Sequence, residues 1–492
     1  MGLYDRIRPR ELLQKVADAD KAVEIIDSGM AVGISSDVTA ISDALERRAK
    51  LLGDFRIDLL SGVFSLRIDE KLGKLGAIRR RIGQQTRLRK AINKGEVEYL
   101  DKRLGFFYQG VRSGEFGPLD VAVVEGIGFT SEGNLIPSYR LGDMPNFVRA
   151  AKRVIVQLNT YYPMELEGLH DVYIPENPPK KGVISICSVN ERVGRPFIPL
   201  DKEKVAVIVP FEMPEAMEID EKEDELSKQI SRNLMIFLEE EVSEQRLPEN
   251  LLPIEIGLGG IASAILRELR DSQFKDLEFY SAILNDLILD LIDEGKVKAA
   301  CGSGLYLSSK GEEKLLKDLP LYKERMVLRT VEITDSPEII MRLGVIALNS
   351  AVEIDIYGHV NSSHVMDGNV VSGVGGVSEF ALNSFLSIFL MPSITKNGDI
   401  STVVPMVAHV DIPEHGVDVV VTEQGIADLR GTTPKERAQR IIACCAHPDY
   451  RSALQDYFER AQQHGGGHEP HLLKEAFSFH QRFLETGSMK ET

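Results

Sequence analysis

Short apolar runs alternate along this chain with stretches whose apolar residues recur every three or four positions. Buried strands alternating with amphipathic helices produce that pattern, which predicts α/β layers on mostly parallel sheets. In the first half, DKAVEIIDSG reads as a helix closed by Gly29, and AVGIS as the buried strand after it. The unit repeats in ISDALERRAKLLG with FRIDLLSGV, and again in FVRAAKRVIVQLN. VAVVEGI, GVISICS and KVAVIVP read as further strands. The acidic stretch FEMPEAMEIDEKEDE (211–225) holds no core pattern and marks a domain boundary, and a long helix follows from Leu226 to Leu247.

The cycle then restarts with LPIEIG as a strand, a glycine turn, IASAILRELR as a helix, LEFYS as a strand and ILNDLILDLIDEG as a helix. In that last helix Ile283, Leu287 and Leu291 form one apolar row and Leu284, Ile288 and Ile292 the next. Asn285, Asp286, Asp290 and Asp293 lie towards the other side, and Gly295 supplies the stop. DYRSALQDYFERAQQ and LLKEAFSFHQRF read as two tail helices joined by HGGGH. The expected fold class is therefore α/β. Two open, mostly parallel-sheet domains of similar topology span 1–215 and 216–492, with a cleft between them and a helical C-terminal tail.

Length agrees, since 492 residues exceed one ordinary hydrophobic core. Hydrophobic residues at 43% and charged residues at 27% are globular values. A net charge of −17 argues against nucleic acid or an anionic membrane as partner, although a local basic pocket can still take an anion. Cys187, Cys301, Cys444 and Cys445 are too few and too poorly spaced for a disulfide framework or a zinc motif. They read as reduced thiols of a cytoplasmic-type compartment. The N-terminal MGLYDRIRPRELLQK has no apolar signal core, and no apolar run is long enough to span a bilayer.

Three features could carry chemistry. Gly257, Leu258, Gly259, Gly260, Ile261 and Ala262 lie between a strand and a helix, where glycines let backbone N–H groups face an anion at a helix N-terminus. The same six residues match the dinucleotide fingerprint G-x-G-x-x-A, with Glu278 placed for a ribose hydroxyl, and equally suit a plain turn. Gly373, Val374, Gly375 and Gly376 repeat the pattern after the apolar NVVS and before the helical run FALNSFLSIFL. Donors from both loops could hold an anionic tail and an oxyanion together. Glu423 follows the strand VDVVV, as an active-site acid or a paired surface one, and Lys396 in MPSITKNGD is a cation for a phosphate or for solvent. His464, His468 and His471 have ligand-like spacing in a glycine-rich connector, yet no metal is expected there. There is no G-x-S-x-G elbow and no P-loop.

The motifs GLGGIASAI, FYSAILNDLILDLIDEGK, EITDSPEIIMRLGVIALNSAVEIDIYGHVNSSHVM, GVGGVSEF, HVDIPEHGVDVVVTEQGIADLRG and CAHPDYR resemble the acetyl-CoA hydrolase/acetate CoA-transferase family of class I CoA-transferases. Fainter echoes are LRKAINKGEVEYLD, LEGLHDVYIP and RVGRPFIPLD, so the likeness spans most of 85–485. The resemblance implies the CoA-transferase fold, with coenzyme A lying chiefly on the second domain. It also implies a ping-pong transfer of CoA between small carboxylic acids, and a homodimer. In such enzymes a glutamate attacks the acyl-CoA thioester, and an acyl-glutamyl anhydride and then a glutamyl-CoA thioester form in turn. Residue by residue, the CoA loop falls on Gly257 to Ile261 and the oxyanion-hole N–H on Gly376, with CoA contacts at Ser372 and Lys396. An active-site glutamate of the family falls on Glu423 and the acyl-site asparagine on Asp335; apart from the resemblance, Arg192 in ERVGRPF reads as a partner for an acidic substrate or a CoA phosphate.

The nucleophile departs from the pattern. Tyr280, Ser281, Ala282 and Ile283 occupy the segment, and Ala282 stands at the glutamate position, where a methyl group cannot form an anhydride. Asp286 and Glu278 would each need to move several ångströms to substitute. Gly260 replaces an asparagine, and Gly33, Ile34, Ser35, Ser36 and Asp37 replace the first-domain G-F-T-P pattern. Asp335 adds a negative charge near a carboxylate substrate unless it is protonated or paired. The expectation is an inactive or strongly impaired transferase, altered at one position to trap a complex. Alternatives are a natural CoA-binding protein without transferase chemistry, a hydrolase in which Glu423 activates water, and, from another class, an NAD-dependent dehydrogenase. Acetyl, propionyl, succinyl and butyryl donors are not distinguished.

Overall fold

Parallel pairing of short valine- and isoleucine-rich runs organises the chain. The computed structural model describes residues 2–62, 66–84, 87–217 and 223–491, so 218–222 of the acidic stretch 211–225 lie outside the described residues. Two units emerge, one of Met1–Ile219, Tyr280–Ile292 and Lys298–Ile339, the other of Asp220–Phe279, Asp293–Val297 and Ile340–Thr492.

The first unit carries seven parallel strands in the order Val205–Phe211, Arg153–Asn159, Val121–Gly126, Ala31–Ile34, Ile57–Leu60, Ile78–Ile82 and Glu98–Leu100. Side chains alternate across its centre. Val121 and Val123 enter one core with Ile41 and Leu45 of the helix Thr39–Leu52, whereas Ala122 and Val124 enter another with Phe107 and Phe147. Both faces are thus covered, which is why these strands are continuous apolar runs. Chain order reverses between Ala31–Ile34 and Val121–Gly126, the kind of position where open α/β sheets gather ligands. In the same unit Ala300–Gly302 pairs in parallel with Met326–Leu328, and Leu328–Arg329 with His170–Asp171.

The second unit orders its strands Gly425–Asp428, Val419–Thr422, Leu386–Leu390, Ile346–Ser350, Ile254–Ile256 and Leu277–Tyr280, parallel except for the hairpin at Gly425–Asp428. Its helices Glu225–Ser243 and Gly260–Asp271 match their expected spans closely, the first capped by the Asp224 carboxylate 2.7 Å from the Ser227 N–H. The C-terminal helices Pro448–Gly465 and Ser478–Thr486 form the expected tail.

Several elements differ from the pattern reading. GVISICS forms no ladder: the Ile184 N–H donates to Glu338 and the Cys187 N–H to Glu191, so carboxylates take the donors a strand would need. FALNSFLSIFL is a helix only over Val377–Asn383, and Leu386–Leu390 is a wholly buried strand. A run covered on both faces has no period to separate strand from helix. NVVS contributes only the two-residue strand Asn369–Val370, paired antiparallel with His364–Val365 away from the main sheet. The helix after residue 282 begins at Asp286 because the Asn285 side chain caps the Ile288 N–H at 3.2 Å, while Leu284 and Asn285 bridge to Leu305 and Tyr306.

The late segment Lys298–Ile339 is fastened within the first unit by a buried ion pair. The Arg112 guanidinium grips both Glu332 carboxylate oxygens and donates to Asn146 at 2.6 Å. Glu332→Ala strands that guanidinium, and is expected to lower unfolding free energy by about 3–5 kcal/mol in denaturant titrations. A loss under about 1 kcal/mol would contradict this reading.

Candidate active site

The expected site residues divide between the units: Gly257 to Ile261, Ser372, Gly376, Lys396 and Glu423 fall in the second, Ala282 and Asp335 in the first. In the second, the strands Ile254–Ile256, Leu386–Leu390 and Val419–Thr422 run parallel, so the segments leaving them emerge at one carboxyl edge. Gly257 to Gly259 leave the first of these and are exposed, and a Cβ added at Gly257 or Gly259 would meet nothing within 4 Å. Gly259 takes φ +110°, where L side chains are strained, and opens the helix Gly260–Asp271 with no side chain capping its first turn. Free backbone donors beside open space at a helix N-terminus suit an anion.

Glu423 leaves the strand Val419–Thr422 half-buried. One carboxylate oxygen accepts from the Ser393 N–H at 2.8 Å; the other accepts from the Ser393 hydroxyl and from Gln424 Nε2 at 3.0 Å. Ser393, just past the neighbouring strand, therefore positions the acid. Nothing in its sequence context singled it out beyond its place in the MPSITKNGD loop. Lys396 in that loop is exposed, with left-handed φ, and its ammonium lies 4.7 Å from the centre of the Phe483 ring. Gly376 caps the helix Val377–Asn383 and Gly375 has φ +60°. These two follow the outlying hairpin rather than a strand of the main sheet, which corrects the expected placement of this loop at a strand end. The half-buried Ser372 hydroxyl donates to the Gly373 carbonyl at 3.1 Å.

Ala282 occupies a half-buried bend of the first unit, held on both sides by 301–304. Its carbonyl accepts from the Ser303 N–H at 2.8 Å and hydroxyl at 2.7 Å, while the Ser281 N–H donates to Cys301 at 3.0 Å. Asp286 is committed elsewhere, receiving the Ser308 N–H at 3.2 Å, and burial raises its pKa. Arg192 donates to the His170 and Met326 carbonyls at 2.8 and 3.4 Å, so much of its guanidinium serves the first unit's own backbone.

At the first unit's strand reversal, Ser35 and Ser36 of the segment departing from the G-F-T-P pattern join a buried polar group that spacing does not mark. The Ser35 and Ser36 hydroxyls are buried without partners, and Ser36 and Val38 take left-handed φ. The Arg140 guanidinium donates to the Glu215 carbonyl while its Nε and one Nη stay unpartnered. Burial first, and then the charge of Glu215, push Glu125 up to about 7. No spacing rule marks Arg140, because its neighbours are brought to it by strands remote in sequence.

Asp335 is wholly buried. One oxygen accepts the Thr334 hydroxyl at 2.7 Å and the other has no partner, and burial raises its pKa to about 7. A neutral carboxyl can donate a hydrogen bond as an amide does. In the unfolded chain the group ionises near 4, so its contribution to stability is complete below that pH and is lost as pH rises through 7. Asp335→Asn should therefore gain on the parent as pH rises from below about 4 to above about 7, by up to about 4 kcal/mol in paired denaturant melts. A difference that does not change with pH would contradict the shift.

Residues 1–210 match the acetyl-CoA hydrolase/transferase N-terminal domain and 311–458 the C-terminal domain of the same family. The chain is 42% identical to succinyl-CoA:acetate CoA-transferase of Clostridium kluyveri, over 99% of this chain and 92% of that one. It is 37% identical to an acetyl-CoA hydrolase of Candida glabrata, over 99% and 97%. Among solved structures, RipA from Yersinia pestis superposes with a TM-score of 0.71 at 22% identity, over 91% of this chain and 98% of that one, a likeness of fold. With both family domains matched along a full-length relative, the chain belongs to the acetyl-CoA hydrolase/transferase family.

Proposed function

We propose that the chain binds a short acyl-CoA through Gly257 to Ile261, and that Ala282 denies it the covalent route of an acyl-CoA:carboxylate CoA-transferase. The observation that carries this reading is the exposed glycine loop, with its uncapped helix, at the same carboxyl edge that holds Glu423 in a serine-and-glutamine grip. In the transferase route a glutamate oxygen bonds to the thioester carbon and CoA leaves as thiolate. The thiolate then bonds to the glutamyl carbonyl and expels the first carboxylate, and a second carboxylate reverses both steps. A methyl group at 282 supplies no oxygen for the first bond. Gly376 as oxyanion donor, Ser372 and Lys396 as CoA contacts, Asp335 at the acyl group and a homodimer belong to this proposal by family likeness, and the domain division at 215/216 and a cytoplasmic location by the acidic stretch and the thiol pattern of the sequence.

A second reading rests on Glu423, whose carboxylate is held in place by neighbours and could activate water for thioester hydrolysis. It requires CoA thiol release from the chain as it stands, abolished by Glu423→Gln.

Restoring the acid tests the first reading. Ala282→Glu is expected to raise acyl-CoA:carboxylate exchange over the parent on the order of 10⁴-fold, with a borohydride-sensitive glutamyl thioester at residue 282. Absence of both exchange and adduct in a folded variant would overturn it.

A further inference from the structure

His359, Glu414 and Glu469, all in the second unit, bring one donor atom each within 4.8 Å of one another. His359 Nε2 lies 2.9 Å from Glu414 Oε2. Around an ion with bonds of about 2.0–2.1 Å, tetrahedral ligands stand about 3.3 Å apart, so small side-chain rotations would close the triad on one ion.

Each donor is set in place by groups behind it. Asp355 Oδ1 accepts the backbone N–H groups of Tyr357, Gly358 and His359, each at 3.0 Å, winding the chain into a turn. Its other oxygen lies 3.1 Å from His359 Nδ1. A carboxylate behind one ring nitrogen fixes the tautomer and turns the other nitrogen towards a ligand, the usual second layer of histidine metal sites. Glu414 opens a short turn whose carbonyl is held by Arg437 at 2.8 Å. Glu469 sits in the segment HGGGHEPH, fixed by the Tyr357 hydroxyl on the Pro470 carbonyl and by the Tyr457 hydroxyl 2.9 Å from His471 Nδ1.

Two observations separate this cluster from an ordinary ion pair. Glu469 Oε1 is buried and has no hydrogen-bond partner, although it lies beside a histidine and a second acid. Three carboxylates, of Asp355, Glu414 and Glu469, crowd this corner around the His359 imidazole and the Arg437 guanidinium, a setting that a divalent cation would relieve.

We propose that His359, Glu414 and Glu469 bind a divalent first-row transition ion, of which Zn²⁺ is the representative, and that the ion clips the C-terminal segment to the second unit. One imidazole and two carboxylates suit zinc and its neighbours in the series. Glu469 lies beyond the family's matched residues 311–458, so the clip joins the family domain to this chain's own tail. The sequence reading placed no metal in HGGGHEPH; its histidine spacing is incidental, and its glutamate supplies the ligand.

The test uses the full chain stripped with chelator and titrated with Zn²⁺ by calorimetry, and with Co²⁺ by visible absorbance. One equivalent should bind, with a rise in thermal midpoint. Glu469→Gln keeps the shape of the side chain and should weaken binding at least tenfold and reduce the tetrahedral Co²⁺ band, as should Glu414→Gln. The paired variant His464→Ala with His468→Ala should bind as the parent does. No saturable binding, binding unchanged in both glutamine variants, or binding lost in the paired histidine variant would each overturn the site.

Discussion

Where a parallel strand gives way to a helix, the first N–H groups of that helix have no intrahelical acceptor, and the rest of the site depends on this shortage. In the second unit the strand Ile254–Ile256 ends in Gly257 and the helix Gly260–Asp271 begins without a side-chain cap. Two strands further along the same carboxyl edge, Ser393 spends both its N–H and its hydroxyl on Glu423. One corner keeps its donors uncommitted and the other uses them to hold an acid still. These are the two kinds of corner on which the proposed acyl-CoA reading rests.

Position 282 is a different constraint. Its bend is tied by Ser303 and Cys301 on the backbone side, so the methyl group stands on a well-held main chain. Asp286, the acid next along, is engaged by Ser308 and poised over Gly311, where an added Cβ would fall 1.7 Å from its carboxylate. It cannot swing out towards residue 282 without abandoning that turn. At Asp335 burial raises a carboxyl's pKa to about 7, so this acid is far less charged than a surface one.

Much of the fold was legible because period-two and period-3.6 burial leave different marks. Thr39–Leu52, Glu225–Ser243 and Pro448–Gly465 are amphipathic, and Val121–Gly126 and Arg153–Asn159 are buried nearly throughout around apolar centres. Leu386–Leu390 was misread as helix because a strand buried on both faces carries no period, and GVISICS was misread as strand because side-chain acceptors took its donors. At the site, the glycine loop and Glu423 were legible through strand-end position and family likeness. Ser393, Arg140 and Glu469 were not, since each acts through a partner far away in sequence.

The central claim is that a CoA site persists in a chain whose attacking side chain is a methyl group. Calorimetric titration of CoA into the unmodified protein, beside Gly259→Val and with NAD as competitor, tests it most directly. The account requires saturable CoA binding, at least tenfold weaker in the folded valine variant and indifferent to NAD. Absence of CoA binding, or binding untouched by a side chain at residue 259, would contradict it.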